Sequence, residues 1–329
     1  MTPGKRFVFA LATSALIVAS LFVLLGASLE DFQVPEFQPV WLLVALATYL
    51  PCALLRAFRM RHLIGDEYGE HGLLRIASVM VVHQSAGHIL PLKLGEFTYS
   101  ILMRFLGGSS FLRGVGSTVL MRFADLTGLG VVLLAGIWWV SGPGYLEKGI
   151  LALGAILLLL VGFAGLVHGH RLLRFVTGYL RPVAPSIAKK LEQDLSGALE
   201  VSKGKPVRWV SIFVESALLW CGLVLLHCAL GCALGLCLSP PAMSVGALGS
   251  ILCSYLPVAT VLNLGTAEFG WVATLPLVGV EPKMALAVGL YIHLGLIAVT
   301  SIFAGIGAII IWRAAATVHA DPEEDSSGS

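Results

Sequence analysis

Apolar residues in this chain come in long continuous runs, at 7–27, 39–55, 114–140, 149–167, 209–236 and 284–312. Each is long enough to cross the hydrocarbon of a bilayer as an α-helix, which takes roughly 17–25 residues. Barrel strands would alternate apolar and polar positions, so a barrel is excluded. Two further stretches are apolar but interrupted. The first, 73–110, holds His83, Gln84, Ser85, Gly87 and His88, then Leu90-Pro91, Lys93 and Glu96. The second, 238–283, contains an irregular segment from Leu256-Pro257 to Glu268. Residues 168–208 form the one sizeable polar region. Its apolar positions recur at helical spacing (Leu173, Phe175, Val176, Leu180; Ile187, Leu191, Leu195, Leu199) among basic residues, the pattern of amphipathic helices lying on an anionic membrane face.

Composition turns this pattern into a fold class. Hydrophobic residues make up 57% of the 329 positions, charged residues 12%, and mean hydropathy is +0.90. A soluble domain carries about 25% charged residues to coat its surface. The chain is therefore expected to be an all-α polytopic membrane protein. The first run, preceded by Lys5 and Arg6, is too long for the core of a signal peptide and is read as a retained span. The six cysteines sit in apolar segments and make no secreted disulfide framework. Cys221, His227, Cys228, Cys232 and Cys237 crowd one helix, where they are expected to pack as small apolar groups. No metal or cofactor is expected.

Lysine and arginine are retained on the cytoplasmic side of a membrane. With the amino terminus inside and six full spans, seventeen basic residues fall inside, among them Arg56, Arg59, Arg61, Arg75 and Arg113. Only Lys148 and Lys283 fall outside, and Lys93 and Arg122 remain within the membrane. Because Arg75 and Arg113 both belong inside, the chain between them must enter and return, turning near residues 91–96. By the same parity the second interrupted stretch enters from outside and returns, turning near 257–268. Broken helix at that depth is tolerated only where protein or a wet cavity satisfies its backbone. The expected fold is six full spans plus two re-entrant helical hairpins, 73–110 and 240–282.

The two tips share a pattern. Glu96-Phe97 is followed by Gly107 and then Arg122; Glu268-Phe269 is followed by Gly279 and then His293. A Leu-Pro precedes each, and Gly95 and Gly265 stand just before the glutamates. The chain thus reads as two copies, 1–145 and 146–315, the second inverted and carrying the amphipathic segment 168–208, with 316–329 as a disordered tail. Inverted repeats whose broken helices meet near the midplane are how many transporters build a substrate site.

Charge within the membrane marks the candidate site. An ionised side chain at bilayer centre costs about 3 kcal/mol on insertion scales, so Lys93, Glu96, Arg122, Asp125 and Glu268 need partners or water. Arg122 and Asp125 stand three apart and can pair on one helix. Lys93 and Glu96 are close at the first tip, and His293 is the candidate partner of Glu268. The alternative is that these are structural ion pairs pinning hairpins to spans. His83 and His88 are read as hydrogen-bonded core groups, and Glu215 as reaching the interface.

Leu90-Pro-Leu-Lys-Leu-Gly-Glu96, Arg122-Phe-Ala-Asp125 and Leu256-Pro through Gly265-Thr-Ala-Glu268 resemble the motifs of the lysylphosphatidylglycerol synthase transmembrane-region family of flippase-like proteins. Here Lys93 stands for the family's arginine, Met121 for an acid, and Asn263-Leu-Gly265 for a richer glycine run. The resemblance covers nearly the whole chain, and with 329 residues the synthases' soluble aminoacyl-transfer domain is not expected here. It implies a lipid transporter of a bacterial cytoplasmic (inner) membrane, both termini cytoplasmic, moving an anionic phospholipid or polyprenyl-linked lipid between leaflets. Its substrate-binding residues would be Lys93, Glu96, Arg122, Asp125, Glu268 and His293. Without a Walker motif, energy would come from a gradient or a partner. Two alternatives remain open: a membrane-embedded enzyme using Glu96 or Glu268 as a base, and a non-catalytic partner of a glycosyltransferase or lipid synthase. Nucleic acid is not an expected partner, since the basic residues lie along one membrane face.

Overall fold

A computed structural model describes residues 3–28, 32, 36–64, 72–106, 110–139, 144–182, 184–186, 188–189, 192–193, 206–256, 258 and 260–320. Helix dominates, and no strand occurs among the described residues. In chain order the first half holds α1 (Pro3–Leu25), α2 (Pro39–Ile64), α3 (Leu73–Ile89), α4 (Thr98–Phe105) and α5 (Phe111–Ile137). The second holds α6 (Tyr145–Leu180), α7 (Pro206–Ala233), α8 (Pro240–Ser254), α9 (Thr266–Thr274) and α10 (Pro282–Ala320). Two 3₁₀ segments, Pro91–Phe97 and Leu275–Val278, lie before α4 and after α9.

Length separates the helices into two classes. α1, α2, α5, α6, α7 and α10 each contain an apolar stretch of at least 19 residues, matching the six full spans expected. α3, α4, α8 and α9 have 17, 8, 15 and 9 residues. At 1.5 Å per residue none of the four covers the ~30 Å hydrocarbon core. Large apolar side chains stay exposed along the outer faces, such as Val23, Leu24, Leu153 and Phe163. Water would penalise that surface, whereas lipid tails match it.

Helix ends follow their local sequence. Ser110 Oγ accepts from Arg113 N–H at 3.3 Å to cap α5, and Ser239 precedes the Pro240-Pro241 start of α8. Proline at the first helical positions removes a donor that has no partner there anyway. Gly279, at φ +82°, closes the 3₁₀ segment after α9 in a left-handed conformation that glycine adopts at no cost. Gly107 and Pro257, parts of the repeated tip pattern, lie outside the described residues.

Three expected boundaries move. α2 does not stop at residue 55 but continues to Ile64, with Arg56 and Arg59 buried rather than in a cytoplasmic loop. That removes two residues from the inside tally without changing its sense. α6 runs unbroken through the start of the polar segment to Leu180, and α10 reaches Ala320, into the expected tail. Cys232 and Cys237 are joined by a disulfide across the α7–α8 turn, where Gly235 at φ +71° reverses the chain. They are therefore not merely small packing groups. Glu215 likewise does not simply reach outward: its Oε1 lies 2.8 Å from His62 Nδ1 on α2.

The short helices pack in pairs against α5 and α10. α3 runs along α10, with Gly307 against Ser78 and Ser85 Oγ 3.4 Å from Ser301 Oγ. α4 runs along α5, with Gly114 against Ser100 and Glu96 against Arg122. α8 lies near the other end of α5, with Pro241 beside Gly136, and α9 follows α10 with Trp271 against Gly289. The two pairs thus lie alongside α5 and α10 from opposite ends. α2 and α7 pack together behind them, and Tyr49, Leu129, Leu133, Leu219, Trp220 and Trp271 form much of the core between.

Candidate functional site

The broken ends of the two short pairs face each other across a cavity of about 150 Å³. Its wall includes Glu96, Arg122, Asp125 and His293, four of the residues expected from sequence, together with Arg56, His83, His88, Tyr255 and Asn263. The Lys93 side chain lies outside the described residues. The volume equals about five waters, enough for a small polar group.

The first tip depends on close backbone contact. A Cβ at Gly95 would meet the Ala86 carbonyl at 2.3 Å, so only glycine lets the 3₁₀ segment fold onto α3. The Gly95 carbonyl then accepts from His83 Nδ1 at 3.1 Å, which fixes that tautomer because a carbonyl cannot donate. His88 pairs through Nε2 with Gln84 Nε2 at 3.2 Å. Both histidines are hydrogen-bonded, as expected, and both line the cavity.

From Glu96 a ladder of charges crosses the molecule. Arg122 Nη2 donates to both Glu96 oxygens, at 2.6 and 2.7 Å, and Arg122 Nη1 reaches Asp125 Oδ2 at 3.3 Å. Arg59 Nη2 donates to Asp125 Oδ1 at 2.6 Å, and its Nη1 donates to Ser216 Oγ at 3.2 Å. Two guanidiniums and two carboxylates alternate, tying the first tip to α5, α2 and α7. Arg122 also lies over the Tyr255 ring, 5.6 Å from its centroid, a cation–π contact with the end of α8. The expected Arg122–Asp125 pair is present, but the shortest bond of Asp125 is to Arg59.

The second tip carries the other pair. Leu262 and Asn263 have φ of 58° and 55°, and Gly265 has φ 90°. Asparagine tolerates the left-handed region because its short amide bonds locally. Here Asn263 Nδ2 donates to the Gly87 carbonyl at 3.1 Å, joining the two tips directly. Glu268, at the third position of α9, accepts from Gly265 N–H at 2.6 Å, and its other oxygen lies 2.7 Å from His293 Nδ1. His293 is thus the partner of Glu268, as the sequence suggested. Both are buried, His293 forming the cavity wall and Glu268 standing behind it. Ser14 of α1 serves the same tip, its Oγ accepting from Val261 N–H at 2.8 Å.

Sequence reasoning missed Arg56 and Arg59. The signal was available: Ala57, Phe58, Met60 and Leu63 continue an apolar pattern past Arg56, and Arg56 and Arg59 stand one turn apart. Arg61, off that face, is exposed. His227 donates through Nδ1 to the Leu223 carbonyl at 2.6 Å, within its own helix.

Comparison with known proteins gives one result. The family model described as the lysylphosphatidylglycerol synthase TM region matches residues 7–318. No curated protein and no solved structure matches the chain.

Proposed function

The chain belongs to the lysylphosphatidylglycerol synthase TM-region family, an integral membrane protein of lipid metabolism, and from that premise we propose that it moves lipid between leaflets. The cargo is an anionic phospholipid or a polyprenyl-linked lipid, handled in an inner membrane. The observation that carries the reading is the position of the cavity. It lies between two helix breaks, level with Arg122 and His293, each the twelfth residue of its long helix. In this reading 73–110 and 240–282 are re-entrant hairpins from opposite leaflets and the two halves form an inverted repeat, the architecture that gives alternating access to one central site. The equivalent pairs Glu96–Arg122 and Glu268–His293 support it, since each joins a tip glutamate to the following long helix.

Orientation follows the positive-inside count, with both termini cytoplasmic. The Cys232–Cys237 disulfide then falls on the outer side, the oxidising compartment in which such bonds persist. Lys93, Glu96, Arg122, Asp125, Glu268 and His293 constitute the headgroup site. Glu268–His293 is its proton-carrying pair, a carboxylate against an imidazole at the cavity wall. The same pair favours a second reading, a membrane-embedded enzyme with Glu268 as base. Lipid mass spectrometry after incubation with purified protein separates the two, since transport leaves the lipid chemically unchanged.

The test is reconstitution in liposomes with a fluorescent phosphatidylglycerol in the inner leaflet. Wild type exposes it to an external quencher, and Arg122→Ala, which removes the central rung of the ladder, loses that exposure at normal expression. Equal exposure by Arg122→Ala would remove the site from the mechanism, and no exposure by wild type would remove transport of this lipid.

A further inference from the structure

Among the described residues, Arg56 is the one cavity cation that the charge ladder leaves unmatched. It is 8% exposed, lines the cavity from α2, and its buried Nη1 has no hydrogen-bond partner among those residues. Its neighbour one turn on, Arg59, takes Asp125, whose other oxygen belongs to Arg122. Arg59, Arg122, Glu96 and Asp125 sum to zero charge, so among the described residues Arg56 adds a full positive charge to the site. Guanidinium does not deprotonate in proteins, so this charge cannot be removed by releasing a proton. Left alone it is destabilising.

Two further donors in the same wall also lack acceptors. Tyr49 Oη and Trp220 Nε1 are enclosed, have no hydrogen-bond partner among the described residues, and line the cavity with Arg56. Tyr49 and Arg56 are seven residues apart on one face of α2, and Trp220 comes from α7, which packs against it. An indole N–H can only donate, and a guanidinium only donates. A wall of donors around a buried cation calls for a ligand that only accepts and is negatively charged. A tetrahedral phosphate group meets that description, offering several acceptor oxygens to a guanidinium fork.

Resting on the transport reading, we propose that Arg56, Tyr49 and Trp220 form the phosphate-binding subsite of the cavity, and that Arg122, whose two Nη groups are taken up by Glu96 and Asp125, positions the tips instead. The ligand chemistry is a phosphate monoester or diester. Lipid headgroup and free phosphate share it, and the experiment distinguishes them.

The test uses the full chain purified in phosphate-free detergent buffer, with inorganic phosphate, dihexanoyl phosphatidylglycerol and dihexanoylglycerol as probes. Binding is read by calorimetry and by thermal unfolding. Wild type binds the phosphatidylglycerol and is stabilised by it, while dihexanoylglycerol does neither. Binding of inorganic phosphate as well assigns the recognition to the phosphate group itself; its absence assigns it to the esterified headgroup. Arg56→Gln lowers affinity at least tenfold, Arg56→Lys recovers part of it, and Tyr49→Phe and Trp220→Phe each weaken it by about tenfold, the loss of one hydrogen bond to a charged group. Ligand-free Arg56→Gln melts no lower than wild type, because it removes an unpaired buried charge. A lower melting temperature for ligand-free Arg56→Gln overturns the proposal, since that marks a paired structural arginine. Unchanged affinity in Arg56→Gln, or wild type that binds neither phosphate probe, also overturns it. Lipid transfer that persists in Arg56→Gln sinks this subsite alone. Arg56-dependent binding without transfer keeps the subsite and sinks transport.

Discussion

Asp125 holds two arginines, and its removal separates the structural from the functional share of the ladder. Asp125→Ala leaves Arg59, fully buried and 2.6 Å from the missing oxygen, with the Ser216 hydroxyl as its remaining acceptor among the described residues. Breaking one side of a buried pair costs about 3–5 kcal/mol, most of it the uncompensated charge. Thermal melting of Asp125→Ala in detergent should show a loss of that order. Replacing both partners, Arg59→Met with Asp125→Leu, should cost less than Asp125→Ala alone. If the double variant is the less stable, the stranded charge of Arg59 is not what makes Asp125→Ala costly. Glu268 behaves differently, because His293 is a neutral partner when unprotonated. Glu268→Gln keeps the shape and can still accept from Gly265 N–H, yet abolishes proton exchange with the imidazole. It should fold with a melting temperature near that of wild type and lose lipid exposure in the liposome assay; full retention of exposure would free the pair from any coupling role.

At the scale of elements, the second short pair is closed by glycine. A Cβ on Gly270 of α9 would lie 2.2 Å from the Gly249 carbonyl of α8, and a Cβ on Gly249 the same distance from the Gly270 carbonyl. The two backbones touch, as small residues allow where lipid supplies no hydrophobic drive to association. Gly270→Ala should therefore cost about 1–3 kcal/mol by overpacking. Gly154→Ala in α6, where nothing lies within 4 Å of the new methyl, should be neutral or gain up to about 1 kcal/mol from helix propensity. Paired melting curves check the contrast, and equal effects at both sites would contradict the close crossing. Element boundaries are harder to read from the chain than element existence. The apolar pattern of α2 passes straight through Arg56 and Arg59, and an arginine with a buried partner looks, in one dimension, like an arginine in water.

For the whole molecule the decisive quantity is sidedness. Single cysteines at Arg75 and Arg113 in a cysteine-free background should both react with an impermeant maleimide from the cytoplasmic face, and those at Lys148 and Lys283 only from the other. Labelling of 75 and 113 from opposite faces would turn 73–110 into a crossing and invert everything after it. The proposed entry of the two pairs from opposite leaflets would then fail, and a single central site with alternating access would lose its geometric basis.

The six spans, the two interrupted stretches and the Glu268–His293 pairing were legible in the chain itself. Long apolar runs answer to bilayer thickness alone, and a charge that helix spacing leaves unpaired within an apolar segment must find a partner from a short list. Tertiary structure decided which charges remain. Glu96 meets Nη2 of Arg122, 26 residues distant; Asp125 sits near Arg122, but its shortest bond is to Arg59, 66 residues distant. Packing between α2, α5 and α7 fixes those distances, and sequence proximity does not. That Arg56 finds no hydrogen-bond partner for its buried Nη1 among the described residues is a property of that packing too.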